Sequence, residues 1–128
     1  MARNDDTVPE ATRVLIVEDD KDVADLLDSV FTAAGYLVTL VHDGADARRA
    51  TSERRFSLAI VDMLLPGELG GPLADEFDAA GIPVLLMSGA PEQIDPATQH
   101  RFPILAKPFR LQDAVHSAAA AIARGASS

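Results

Sequence analysis

Apolar and polar positions alternate in two rhythms along this chain. Short unbroken apolar runs, rich in Val, Ile and Leu, occupy residues 14–17, 58–61 and 83–87, the first led by Arg13. Runs of that length, bounded by polar or turn residues, predict buried strands. Residues 36–41 predict a further β-branched strand, and residues 104–106 a brief fifth one. Between the strands the rhythm changes. Val23, Leu26, Leu27, Val30 and Phe31 recur at helical spacing and predict one apolar face against a sheet, closed by Gly35. Asp43 is a natural N-cap for a weaker, Ala-rich helix reaching about Arg54. Gly70-Gly71-Pro72 opens a helix with Leu73 and Phe77 inward, and Gly81 stops it. Residues 92–102 carry Pro96 and little periodicity, so any helix there is short. The last helix shows Leu111, Val115, Ala119 and Ile122 on one face.

Five strands alternating with helical segments make a βαβ series, hence a parallel sheet covered on both faces. Right-handed crossovers and one reversal of direction give an α/β, flavodoxin-like, doubly wound five-stranded sheet of order 2-1-3-4-5, with a shortened or irregular fourth helix. One domain is expected over residues 13–124, after a flexible lead-in of residues 1–12 and before a frayed end at 125–128. Few residues follow the last helix, so no output domain is expected within the chain.

Composition narrows the function. With 128 residues and 48% hydrophobic content the chain can bury a real core. The net charge of -9 argues against nucleic acid as a direct partner, which needs clustered Lys and Arg. The absence of Cys removes disulfides, thiol catalysis and thiolate metal sites. No apolar run reaches membrane-spanning length and the polar start lacks a secretory core, so a cytoplasmic protein with no membrane partner is expected.

The candidate chemistry lies at the strand ends. In an open parallel sheet, ligands sit outside the carboxyl ends of the strands. Glu18 and Asp19 follow the first strand, Asp62 the third, Ser88 the fourth and Lys107 the fifth. A lone strand-end Asp ordinarily caps the next turn, and Asp20 and Asp22 suit a helix start. His42, at the end of the second strand, reads as a surface ring. Asp62 differs because it has company. Three carboxylates within a few ångströms cannot all stay ionised without a cation, and a hard divalent ion such as Mg²⁺ answers that need. A hydroxyl and an ammonium beside it suit a phosphoryl group. A carboxylate oxygen of Asp62 is then the attacking atom, and the product an acyl phosphate.

Val14-Leu15-Ile16-Val17-Glu18-Asp19-Asp20, Asp62-Met63-Leu64-Leu65-Pro66-Gly67 with Gly70, Leu86-Met87-Ser88-Gly89-Ala90 and Ala106-Lys107-Pro108-Phe109 together resemble the receiver domain of bacterial two-component response regulators. The resemblance implies Asp62 as phosphoacceptor, Ser88 as switch hydroxyl and Lys107 as phosphate contact. It implies Mg²⁺ held by Asp19, Asp62 and the backbone carbonyl of Leu64, with Glu18 acting through water. It also implies a cis Lys107–Pro108 peptide. The implied partners are a sensor histidine kinase or histidine phosphotransfer protein and a downstream protein target. The domain signals and is not an enzyme with a separate substrate. Two departures stand out: the family's usual switch aromatic is replaced by Ile104, and the stretch from Ser88 to Lys107 is short for a regular fourth helix. Side chains that position hydrolytic water in receivers correspond here to Leu64 and Ala90, which implies slow loss of the phosphoryl group. Two other readings are a degenerate receiver that binds partners without phosphorylation, and an Asp-nucleophile phosphatase resembling the haloacid dehalogenases. The second places Asp-X-Asp with its nucleophile after the first strand, whereas the nucleophile candidate here lies on the third strand and is followed by Met63-Leu64, with no room for a substrate cap.

Overall fold

The computed structural model describes residues 12–127, so the expected lead-in, Thr12 apart, lies outside the described residues. In chain order the elements are β1 (Arg13–Val17), α1 (Lys21–Ala33), β2 (Leu37–Val41), α2 (Gly44–Glu53), β3 (Leu58–Asp62), the two-residue strands β4 (Leu64–Leu65) and β5 (Glu68–Leu69), α3 (Gly70–Ala79), β6 (Val84–Ser88), α4 (Pro96–Arg101), β7 (Ile104–Ala106) and α5 (Leu111–Ser127). The five longer strands form one parallel sheet in the order β2-β1-β3-β6-β7. Counted among themselves, that is the expected 2-1-3-4-5.

The sheet explains the unbroken apolar runs. Successive side chains point to opposite faces, and both faces are covered. Val14, Ile16, Leu58, Ile60, Leu85 and Met87 pack with residues of α1 and α5, whereas Leu15, Val17, Ala59, Val61 and Leu86 pack with residues of α2 and α3. β3, the middle strand, is buried along its whole length. Asp62 ends this fully buried strand.

Two helix faces differ from the sequence expectation. In α1 the buried residues are Ala24, Leu27 and Phe31, while Leu26 is 52% exposed. At helical spacing Leu26 sits about 100° around from Leu27, outside the stripe that meets the sheet. In α5 the buried stripe is Ala114, Ala118 and Ala121, and Ala119 faces solvent. Alanines let this helix lie close to the sheet, so the larger Leu111, Val115 and Ile122 flank the contact. α5 also runs beyond the expected end at residue 124. Gly125 lies within it, at a place where any side chain would collide with the Pro83 ring.

The region between β6 and β7 carries the expected short fourth helix. A 3-10 turn (Pro91–Gln93) is followed by the six residues of α4, capped by Asp95, which accepts from the Thr98 N–H at 3.0 Å. Pro91, Pro96 and Pro103 limit helical length there. Buried Ile94 and Phe102 anchor the segment, and the Gln99 carboxamide donates to the Ile94 carbonyl at 2.7 Å. Among the described residues no helix is long and apolar enough to cross a membrane.

Candidate functional site

The carboxyl edge of the sheet brings Glu18, Asp62, Ser88 and Lys107 together. β1 delivers Glu18 fully buried, and β3 and β6 deliver Asp62 and Ser88 at 6% exposure each. Backbone pairing continues past the ladder: the Met63 N–H donates to the Met87 carbonyl at 2.9 Å, and the Lys107 N–H donates to the Ser88 carbonyl at 2.7 Å. The main chain under three functional side chains is thereby stitched into one plate. The Lys107–Pro108 peptide that follows is cis.

Lys107 reaches back between two acids. Its ammonium donates to Glu18 Oε1 at 2.8 Å and to Asp62 Oδ2 at 2.7 Å. The other oxygen of Asp62 accepts the Leu64 N–H at 3.0 Å, and Glu18 Oε2 accepts the Asp20 N–H at 3.0 Å. Burial pushes the Glu18 carboxyl above its ordinary range, and the adjoining Asp62 pushes it the same way. Lys107 lowers it, by less. For Lys107, burial favours the neutral amine, but the bonds to Asp62 and Glu18 together outweigh it and hold the ammonium more firmly than usual. The Ser88 hydroxyl accepts the Ala90 N–H at 3.0 Å.

Asp19 is exposed, yet carboxylate oxygens of Glu18, Asp19 and Asp62 all lie within 4.8 Å of one another. One ammonium among three carboxylates leaves the cluster short of positive charge. Buried oxygen donors with excess negative charge fit a hard divalent cation. His42 is not part of this cluster; its exposed ring donates from Nδ1 to the Glu18 carbonyl at 3.0 Å. Asp20 and Asp43 are the N-caps of α1 and α2.

The loop after Asp62 holds what the sequence did not disclose. Around the expected turn at Pro66-Gly67, β4 and β5 form a small antiparallel hairpin pairing Leu64 with Leu69 and Leu65 with Glu68. The hairpin is pinned twice. Gly70 touches the Asp62 backbone carbonyl so closely that any side chain would collide with it, and its N–H donates to the Met63 carbonyl at 2.8 Å. On the other side Arg48 of α2 grips Glu68 with both terminal nitrogens, at 2.9 and 3.2 Å. Arg48 also grips Glu76 of α3, at 2.7 and 2.9 Å. The Glu68 carboxylate occupies space that a side chain at Gly44 would need. No local pattern announces such a clamp, since its partners lie 20 and 28 residues apart.

Two cavities flank the Asp62 carboxylate. One of about 480 Å³ is lined by the acids, Lys107 and Leu64. The other, about 300 Å³, is lined by Asp62 and Ser88 together with Met63, Leu69, Ala90 and Ile94. Leu64 and Gly89 border both.

This is the edge at which the resemblance located its motifs, and the family model decides the matter: the response regulator receiver domain matches residues 14–119. The chain belongs to the response regulator receiver domains. Among curated relatives of this receiver, transcriptional regulatory protein GltR of Pseudomonas aeruginosa is 34% identical over 86 residues, covering 64% of this chain and 36% of its own. DNA-binding response regulator MtrA of Mycobacterium tuberculosis is 30% identical over 84 residues, covering 65% and 37%. The receiver thus spans little more than a third of the length of these relatives. Among solved structures, a CheY-like receiver domain protein from Methanospirillum hungatei superimposes with a TM-score of 0.81 at 18% identity, covering 92% of this chain and 98% of that one. The receiver domain of NtrX from Brucella abortus gives 0.78 at 26% identity, covering 86% and 98%.

Proposed function

We propose that Asp62 accepts a phosphoryl group from a phosphohistidine on a sensor histidine kinase or histidine phosphotransfer protein, and that the phosphorylated receiver signals to a downstream protein by direct contact. The observation that carries this reading is the Lys107 ammonium held between Glu18 and Asp62, with Asp19 beside them. Asp62 is nearly enclosed, so its free lone pairs are poorly hydrated and available to phosphorus. As an Asp62 oxygen bonds to phosphorus, the phosphorus–nitrogen bond of phosphohistidine breaks and its electron pair returns to the imidazole. Lys107 then donates to a phosphoryl oxygen, and Ser88 turns its hydroxyl proton toward another. Asp19, Asp62 and the Leu64 backbone carbonyl would hold Mg²⁺ directly, with Glu18 acting through water. When bound, that ion supplies charge neutralisation for the incoming phosphoryl oxygens. Lys107, itself held by Glu18, aims the Asp62 carboxylate.

The direct test is incubation with acetyl phosphate and Mg²⁺, followed by intact mass. The expected result is a gain of one phosphoryl group, lost in Asp62→Asn and under chelation. An unchanged mass for the wild-type protein, or an equal gain in Asp62→Asn, overturns the assignment.

A further inference from the structure

At the amino edge of the sheet, opposite Asp62, a cavity of about 320 Å³ lies between the end of α3, the end of α4 and the last turns of α5. Ile82, Pro83, Val84, Phe102 and Pro103 give it an apolar floor. The backbone of that floor asks for no partner. Pro83 and Pro103 have no N–H, and their carbonyls accept the Ala59 and Leu86 N–H groups at 2.9 and 3.0 Å. The Gly81 and Ile82 N–H groups donate to the Asp78 and Phe77 carbonyls, both at 2.9 Å. Such a floor gains by apolar cover and has no polar group to lose by it. The rim is charged. Arg101 donates to Asp75 at 2.6 Å and to Asp78 at 3.0 Å, and its guanidinium lies 4.9 Å over the Phe102 ring. Arg124, in the last turn of α5, also lines the cavity and makes no ion pair among the described residues. A helix end favours a cation in its last turn, which accounts for the charge but not for the apolar floor beneath it.

We infer that this cavity is a ligand site separate from the Asp62 edge, for a small monocarboxylate whose body is a single ring or a short aliphatic chain. The carboxylate pairs with the Arg124 guanidinium, a planar fork that matches it, and the body covers Ile82, Pro83 and Pro103. Size sets the class. The volume stands at the small end of ligand sites, which run from roughly 300 to 1,000 Å³, so the body is compact. Charge sets the sign. A cation would meet Arg101 and Arg124, and a dianion would leave one charge unanswered, because Asp75 and Asp78 already hold Arg101. Arg101 and Phe102 close α4, so an occupant that spans Arg124 and the floor ties the end of α4 to α5. The site makes no use of Asp62, and its test is independent of the phosphoacceptor reading.

The experiment is an amide chemical-shift titration of the full chain with acetate, hexanoate, benzoate and benzamide, at constant pH and ionic strength. Benzoate or hexanoate is expected to give saturable shifts centred on Ile82, Val84, Phe102 and Ala121. The tighter of the two decides between ring and chain. Acetate has the charge without the body, and is expected to bind at least about tenfold more weakly than hexanoate. Benzamide has the ring without the charge, and is expected to fall below benzoate by a similar factor, about tenfold. Arg124→Gln, a change at an exposed position, is expected to bring benzoate down to the level of benzamide while the rest of the spectrum stays in place. Four results each overturn the site. They are no saturable shift at these residues with either body, benzamide equal to benzoate, acetate equal to hexanoate, or an Arg124→Gln chain that binds benzoate as the parent does.

Discussion

Lys107 and Arg48 each stand as one cation between two carboxylates, an arrangement that Arg101 repeats on the surface with Asp75 and Asp78. At the carboxyl edge Lys107 lies between Glu18 and Asp62, and on the flank Arg48 lies between Glu68 and Glu76. Their surroundings set them apart. The Glu18 and Asp62 side chains are 0% and 8% exposed, those of Glu68 and Glu76 28% and 50%. Arg48 is a planar fork that satisfies both carboxylates in pairs of bonds, whereas Lys107 is a point charge that leaves Asp19 uncompensated. Hydrogen bonding to Arg48 holds the Glu76 carboxyl below its usual range, while burial pushes Glu18 above it. The flank cluster is satisfied and structural. The edge cluster is under-neutralised, which is the condition for taking up a cation and a phosphoryl group.

The largest effect expected from disturbing the edge concerns lifetime. Neither Leu64 nor Ala90 offers a polar side chain to align water behind phosphorus. Ala90→Glu or Leu64→Asn is expected to speed loss of the phosphoryl group by upwards of about tenfold, read by mass after donor removal. Unchanged decay in both variants refutes control at these positions. Next in size is the response to Mg²⁺. Thermal or denaturant melts are expected to show stabilisation of about 1.4 kcal/mol when the ion is tenfold above its Kd, with a weaker response in Asp19→Asn. Melts indifferent to Mg²⁺ would remove the ion from the edge cluster.

Acidity separates the clusters by sign. Glu18, raised in the folded state, contributes stability that is full below its unfolded pKa and is lost as pH rises through the folded value. Glu76, lowered, contributes stability present above its unfolded pKa and lost as pH falls through the folded value. In Mg²⁺-free melts, Glu18→Gln should therefore flatten the stability profile above the ordinary carboxylate range, and Glu76→Gln below it. Identical profiles for the two variants would erase the distinction. The smallest effect is at the flank itself. Arg48→Ala is expected to cost about 1 kcal/mol or less because the pairs are partly solvated, and a large loss would mean the clamp holds more than the hairpin.

Much of this was legible in the sequence because it is local. Val14 to Val17 and Leu58 to Val61 are apolar runs with acids attached, so strand, edge and chemistry are read together. Periodicity also located α1 and α5, but it counts apolar residues without knowing how closely the helix approaches. Leu26 was placed inside and Ala114, Ala118 and Ala121 were passed over for that reason. The β4–β5 hairpin is too short to carry a strand signal, and the grip of Arg48 on Glu68 depends on tertiary proximity alone. Ile94 and Phe102 lie in a stretch without periodicity, yet both are anchors. Ile104 pairs in register with Leu86 and packs partly buried against the α2–α3 side of the core, a place for an aliphatic filler.

The backbone bonds that continue the sheet past its strands also set a clock. The Met63 and Lys107 amides are bonded to the carbonyls of Met87 and Ser88, so their protons are expected to exchange with solvent slowly. One residue beyond Ser88, at exposed Gly89, that plate ends and a chain of short turns begins. Isotope exchange should therefore run on two timescales within a few ångströms of one another: slow for the floor under the phosphoryl site, fast for the segment beside it. On the phosphoacceptor reading of Asp62, the acceptor would then stand on the slowly exchanging floor, beside a segment that exchanges fast.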